Sequence, residues 1–277
     1  MKLTNNTAIV TGSTSGIGKK LAELLLQEGC KVVICSRNEE RVQETVDAFK
    51  PKFGDSVIGF SCDVSDPASM NNLVHQTMEV FGSIEILIAN AAVNTVYGPF
   101  EKLSQDELVS HAQTMIGINL LGTINSIYSV LPQMIKQKYG RIITFSGGGA
   151  DRPLSNMALY SASKGGIVTF SQCLAEEFND RPEDIKINIF QPGMIKTNLG
   201  HDIQLVKGWV SQEEFDRETS LVFDLMGTDI EESCSKAIPL VLPTYKNNGE
   251  SIRGFSIRKM ISGGRKLRKA MKQSGQK

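Results

Sequence analysis

"TAIVTGSTSGIG", Thr7 to Gly18, is the stretch on which the fold turns. A short run rich in Val and Ile leads into Gly12, Gly16 and Gly18, and a helical pattern follows from Lys19 to Gln27. Glycines so placed allow a tight turn and let the backbone approach a pyrophosphate, whose charge the next helix N-terminus holds. Strand, glycine turn and helix in that order predict a phosphate cradle, with Ser15 and Ile17 completing the loop.

Outward from this cradle the pattern repeats. "KVVICS" (31–36), "SVIGFSC" (56–62), "EILIAN" (85–90), "RIITFS" (141–146) and "IKINIF" (185–190) are short apolar runs without clean two-residue alternation. Such runs read as strands buried on both faces. Amphipathic segments lie between them at 39–49, 67–81, 105–115, 120–136 and 157–179. Asp66 before Pro67 marks one helix start, and Ser104 with Glu107 has capping-box spacing. Alternation over this length predicts an α/β fold: a doubly wound parallel sheet in a single domain. From Met194 to Met226 the alternation breaks, and the segment reads as a helical insertion without a strand, placed over the site mouth. A helix over 230–242 and a strand near 251–257 are expected to close the fold. The expected division is a domain over 1–260, its insertion at 194–228, and a basic tail at 261–277.

Bulk composition narrows the function classes. With 277 residues, 40% hydrophobic content and a formal net charge of zero, no global field favours nucleic acid or membrane. After Glu250, however, there are nine Lys/Arg and no Asp/Glu. That tail reads as a solvated basic helix, a phosphate contact or a partner-docking arm. The charge is confined to one end and lacks interleaved aromatics, which argues against a nucleic-acid binder. Five scattered cysteines without CxxC spacing and three separated histidines give no disulfide or metal framework. No signal region precedes the first strand and no apolar run of membrane-span length stands out, so a cytoplasmic protein without a membrane partner is expected.

Two further positions carry chemistry. At the end of the second strand, where an acid commonly binds the ribose 2′-hydroxyl of NAD, stand Ser36 and Arg37. A guanidinium pairs with a 2′-phosphate and a serine hydroxyl can donate to it, which favours NADP and leaves NAD possible. The alternative is that Arg37 pairs with Glu39 or Glu40. In "YSASK", Tyr160 and Lys164 are four apart and share a helix face. An ammonium beside a phenol favours phenolate, so the tyrosine is expected to exchange a proton near neutral pH.

Together, "TGSTSGIG", "ANAA" (89–92), Asn119, "YSASK" and "PGMIKT" (192–197) resemble the short-chain dehydrogenase/reductase family over about residues 3–200. The resemblance implies a Rossmann-like sheet of seven strands, a nicotinamide cofactor and hydride transfer with a carbonyl or alcohol. It implies Tyr160 as acid/base, Lys164 lowering its pKa and holding the nicotinamide ribose, and Asn119 anchoring a proton-relay water. It also implies Asp63 and Val64 beside the adenine, Asn90 in the cofactor cleft, and Ile195 and Thr197 against nicotinamide and phosphate. Strand-end capping would equally explain Asp63 and Asn90, and a helix cap Thr197. A homodimer or homotetramer is expected.

One position departs from the family. Its substrate-polarising serine lies 13 residues before the tyrosine, and here that residue is Gly147, with Ser146 one earlier. Either the turn bends so that Ser146 reaches the carbonyl oxygen, or backbone N–H groups of Gly147–Gly149 or a substrate hydroxyl serve instead, or the donor is lost. The leading expectation is an NADP-dependent oxidoreductase of the alcohol dehydrogenase/carbonyl reductase type. Its competitor is a catalytically weak NADP-binding sensor or scaffold.

Overall fold

The structure is a computed structural model that describes residues 3–150, 154–197 and 203–273. The elements run β1 (Thr7–Thr11), α1 (Gly16–Gln27), β2 (Lys31–Ser36), α2 (Glu39–Phe53), β3 (Val57–Ser61) and α3 (Pro67–Phe81). Next come β4 (Ile86–Ala89), β5 (Val96–Tyr97), α4 (Gln105–Met115), a π-turn (Ile116–Leu121), α5 (Gly122–Gln137) and β6 (Tyr139–Phe145). The chain continues as α6 (Ala158–Asn179), β7 (Asp184–Gln191), β8 (Gln204–Leu205), α7 (Gln212–Met226), α8 (Ile230–Ser235), β9 (Ser251–Arg253) and α9 (Ile257–Gln273).

Seven strands form one parallel sheet in the order β3-β2-β1-β4-β6-β7-β9. In the central strands β1, β2 and β4, apolar along most of their length, alternate residues serve two cores. Ala8, Val10, Val32 and Ile34 pack with α1, α2 and α8, whereas Ile9, Val33 and Cys35 pack with α3, α5 and α6. Burial on both faces is why no polar alternation marks these strands. The chain winds outward from β1 to β3 and then returns to lay β4 on the other side of β1. This reversal opens a crevice at the strands' C-terminal ends, where ligands of such sheets bind.

Several expectations need correction. The 194–226 segment does contain a strand: β8 pairs in parallel with β5 in a separate two-stranded sheet. Two residues are too few to carry a period, so the sequence held no signal for it. The helix expected over 230–242 splits into α8 and a 3₁₀ turn at Ile238–Val241, because Pro239 cannot continue an α-helix. The last strand stops at Arg253, and the basic tail is already helical from Ile257. Met260, Gly263, Gly264, Leu267 and Ala270 are its less exposed positions, and a β-carbon on Gly263 would lie 2.5 Å from Leu225 O on α7. The tail is thus a helix docked on the insertion helix, with Arg258, Arg265, Lys266, Arg268 and Lys269 exposed and Lys259 Nζ donating to Gly227 O just past α7. Finally, α4, the π-turn and α5 form one helix, Gln105–Gln137, long and apolar enough by composition to cross a membrane. Its buried face packs on α3, β4, β6 and α6 as a core element.

Candidate active site

The cradle is built by backbone conformations and close approaches. Gly12 and Gly16 have φ of 66° and 52°, which side-chain-bearing residues rarely adopt. A β-carbon on Gly18 would lie 2.3 Å from Gly12 O. Asn90 fastens the turn from across the crevice, its Nδ2 donating to Thr11 O at 3.0 Å and Gly12 O at 3.2 Å. Thr11 Oγ1 accepts from Ala91 N at 3.0 Å. The "ANAA" segment packs directly on the turn, since a β-carbon on Gly12 would lie 3.0 Å from Ala91 Cα and 3.4 Å from its Cβ. Ser15 stands at the N-cap of α1 without a side-chain cap bond, and no acid occupies the helix's first turn. Ile17 is half-buried there against the core. An uncapped helix start behind a glycine turn suits a pyrophosphate.

Ser13 is a member of this turn that sequence reasoning passed over. Fully buried, it donates its N–H to Cys35 O (3.2 Å) and accepts from Cys35 N at Oγ (2.9 Å). It thereby locks the end of β1 to β2. The available signal was a serine between the glycines of the turn, which looks like any loop serine.

At the end of β2, Ser36 Oγ accepts from Asn38 N, and Arg37 is exposed. Arg37 makes no ion pair among the described residues, so pairing with Glu39 or Glu40 does not account for it. Asp63 organises its own turn, accepting from Ser65 N and Ser65 Oγ at 2.9 and 2.7 Å. Val64 is buried against Gly122, where a β-carbon would be 2.6 Å from Val64 Cγ2. Ile195 is buried, and Thr197 lies over the cradle, its Cγ2 being 3.2 Å from a β-carbon on Gly16.

Tyr160 and Lys164 sit on α6 beside the end of β6, both buried. Lys164 Nζ donates to Phe145 O at 3.1 Å and lies 5.8 Å from the Tyr160 ring centroid. Burial pushes Tyr160 up to about 12 and Lys164 down to about 8. The expected lowering of the phenol is therefore not what this geometry produces. The ammonium faces the ring and bonds a carbonyl, and its attraction does not offset the cost of a buried phenolate.

Asn119 lies inside the π-turn and is fully buried. Its Oδ1 accepts from Val93 N (2.8 Å), and its Nδ2 donates to Val93 O (2.9 Å) and Ser163 Oγ (3.0 Å). Ser163 Oγ in turn donates to Tyr160 O at 2.7 Å. The side chain therefore braces the helix carrying Tyr160 against the segment after β4. With both N–H groups spent on the protein, the amide could meet a relay water only through its remaining acceptor capacity. Ser163, within "YSASK", was the second residue that sequence reading missed.

The glycine run faces the same helix. A β-carbon on Gly147 would stand 2.8 Å from the Tyr160 hydroxyl, and one on Gly149 2.0 Å from Ser161 Oγ. Ser146 Oγ is sealed from solvent and has no hydrogen-bond partner among the described residues. Nearby, Tyr97 gathers the insertion's aromatics, with Trp209 and Phe215 at ring-centroid distances of 5.3 and 5.2 Å.

Comparison with known proteins agrees with this layout. The family model for short chain dehydrogenases matches residues 6–207. Dehydrogenase/reductase SDR family member 4 of Sus scrofa is 32% identical over 217 residues, covering 78% of this chain and 74% of that protein. Diacetyl reductase [(S)-acetoin forming] of Staphylococcus epidermidis is 33% identical over 196 residues, covering 70% and 73%. Among solved structures, a single-substitution variant of actinorhodin polyketide ketoreductase with NADPH superposes with a TM-score of 0.75 at 27% identity, covering 90% of this chain and 95% of that one.

Proposed function

Because the chain belongs to the short-chain dehydrogenase family, we propose that it is an NADP-dependent carbonyl reductase and alcohol dehydrogenase, with Tyr160 as its acid/base. The observation that carries this reading is the Tyr160 hydroxyl against Gly147, past the end of β6 and two strands along the sheet from the glycine cradle after β1. The solved relative holds NADPH, and another relative is named for reducing diacetyl. The exposed guanidinium of Arg37, without an ion pair among the described residues, supports the 2′-phosphate form.

The residues present fit such a dinucleotide. Gly12, Ser15, Gly16, Ile17, Gly18 and Thr197 would hold its pyrophosphate, Ser36 and Arg37 its 2′-phosphate, and Asp63, Val64, Asn90 and Ile195 would line the cleft. When bound, the nicotinamide supplies or accepts hydride. In reduction, Tyr160 Oη gives its proton to the substrate oxygen. Burial keeps that phenol protonated, with its pKa pushed up to about 12, so the chain is poised as an acid at neutral pH. Lys164, held down to about 8, exchanges protons nearer neutrality than an exposed lysine and orients the site through Phe145 O. Asn119 and Ser163 hold the helical turn that aims Tyr160. Pairing into a dimer or tetramer is part of the proposal, supported by Leu121 at the end of the π-turn and Tyr128 on α5, both exposed.

Replacing Tyr160 with Phe is the test. Turnover of a ketone panel should vanish while the NADPH dissociation constant stays within about twofold, since only one hydroxyl is removed. Wild-type protein that binds NADPH tightly yet turns over no carbonyl would favour the sensor or scaffold instead.

A further inference from the structure

The turn after β6 closes with Ala150 N donating to Gly147 O at 3.2 Å, and Gly149 carries a φ of 91°. Positive φ at the third residue and not at Gly148 is the pattern of a type II turn. A trans peptide holds its C=O and N–H in opposite directions. Since Gly147 C=O turns inward to Ala150, Gly148 N–H turns outward. Among the described residues, no hydrogen bond uses the N–H of Gly147, Gly148 or Gly149. The hydroxyl of Tyr160 rests against Gly147, with no side chain between them. The neighbouring hydroxyl, Ser146 Oγ, is sealed, so a substrate oxygen cannot reach it without rearrangement of the turn.

We propose that the backbone N–H of Gly148 takes the place of the missing serine, donating a hydrogen bond to the substrate's carbonyl oxygen beside Tyr160. The inference rests on the reductase reading above. As the carbonyl oxygen gains charge it accepts from Gly148 N–H, which keeps its proton, while Tyr160 Oη gives up its own to form the new O–H bond. An N–H fixed in a turn needs no reorganisation as charge develops, unlike a rotatable hydroxyl. It also explains why position 147 can lack a side chain without leaving the oxygen unsupported.

Gly148→Pro tests this directly. Proline suits the second position of a type II turn, and it removes the N–H by bonding Cδ to the nitrogen. Gly148→Ala is its partner, since a β-carbon there meets only Leu154 Cδ1, at 2.9 Å, the end of a flexible side chain. With diacetyl and NADPH, kcat should fall about 10²-fold in Gly148→Pro relative to Gly148→Ala. The NADPH dissociation constant and melting temperature of the two should match, and Ser146→Ala should stay near wild type. Equal kcat in the Pro and Ala variants overturns the proposal while leaving Tyr160-dependent reduction intact. So does a loss in Ser146→Ala as large as that in Gly148→Pro. A second measurement stands if the proline variant fails to fold or no turnover is found. In ¹⁵N-glycine-labelled protein, the Gly148 amide, assigned by its disappearance in Gly148→Ala, should move downfield when diacetyl joins the NADP⁺-bound form. An unmoved amide overturns the proposal.

Discussion

The hydroxyl of Tyr160 lies 2.8 Å from the point where Gly147 would carry a β-carbon. Glycine at 147 is thus a packing requirement of this tyrosine placement, as well as the loss of a donor. Gly147→Ser, which restores the family's residue, should displace the phenol and lower kcat/KM by about 10²-fold, the typical effect of ångström-scale misplacement. Steady-state kinetics beside Gly147→Ala checks it: the two variants should fall together. A gain of activity in the serine variant would show that the phenol has another productive position.

Lys164 and Tyr160 should leave opposite marks on stability at alkaline pH. Lys164 is held down to about 8 in the fold against an ordinary 10.5, so between these values the unfolded chain binds more protons. Stability from this group rises as pH climbs through that window. Tyr160 is pushed up to about 12 from 10, so its contribution is full below 10 and is lost between 10 and 12. Urea unfolding of Lys164→Met and Tyr160→Phe against wild type, from pH 7 upward, should show each difference changing within its own window and in opposite directions.

Arg37→Asp should reverse coenzyme choice. An acid beside a 2′-phosphate repels it and suits a free 2′-hydroxyl, so NADPH affinity should drop by one to two orders of magnitude, about 1.4 kcal/mol per tenfold. NADH affinity should hold or improve. Titration of both coenzymes decides it; equal losses would remove Arg37 from the 2′-phosphate site.

Asn90→Leu should cost both stability and coenzyme binding. It removes the two donors that fasten Thr11 O and Gly12 O. Loss of both bonds to these part-buried carbonyls costs about 1–3 kcal/mol of stability. Thermal melts with and without NADPH should show a lower melting temperature and a smaller ligand-induced rise than wild type. Unchanged melts would mean the glycine turn holds itself.

Ser163→Ala isolates the brace between the π-turn and α6. It removes the acceptor of Asn119 Nδ2 and the donor to Tyr160 O. As a positioning change it should lower kcat several-fold with KM nearly unchanged, and Ser163→Thr should restore it. A loss confined to melting temperature would make the contact structural only.

The cradle, the strand and helix alternation, and the Tyr160–Lys164 pair were legible in the sequence because each rests on local rules. A helix spaces Tyr160 and Lys164 at i and i+4 in any context, and Gly12 and Gly16 are required by backbone angles their own turn imposes. Tertiary structure alone decided what depends on residues distant along the chain. It set the phenol against Gly147 across 13 positions, bound Asn119 to Val93 and Ser163, sealed Ser146, and raised rather than lowered the Tyr160 pKa. Burial and contact direction arise only when separate segments close on one another, and no spacing along the chain encodes the desolvation that results.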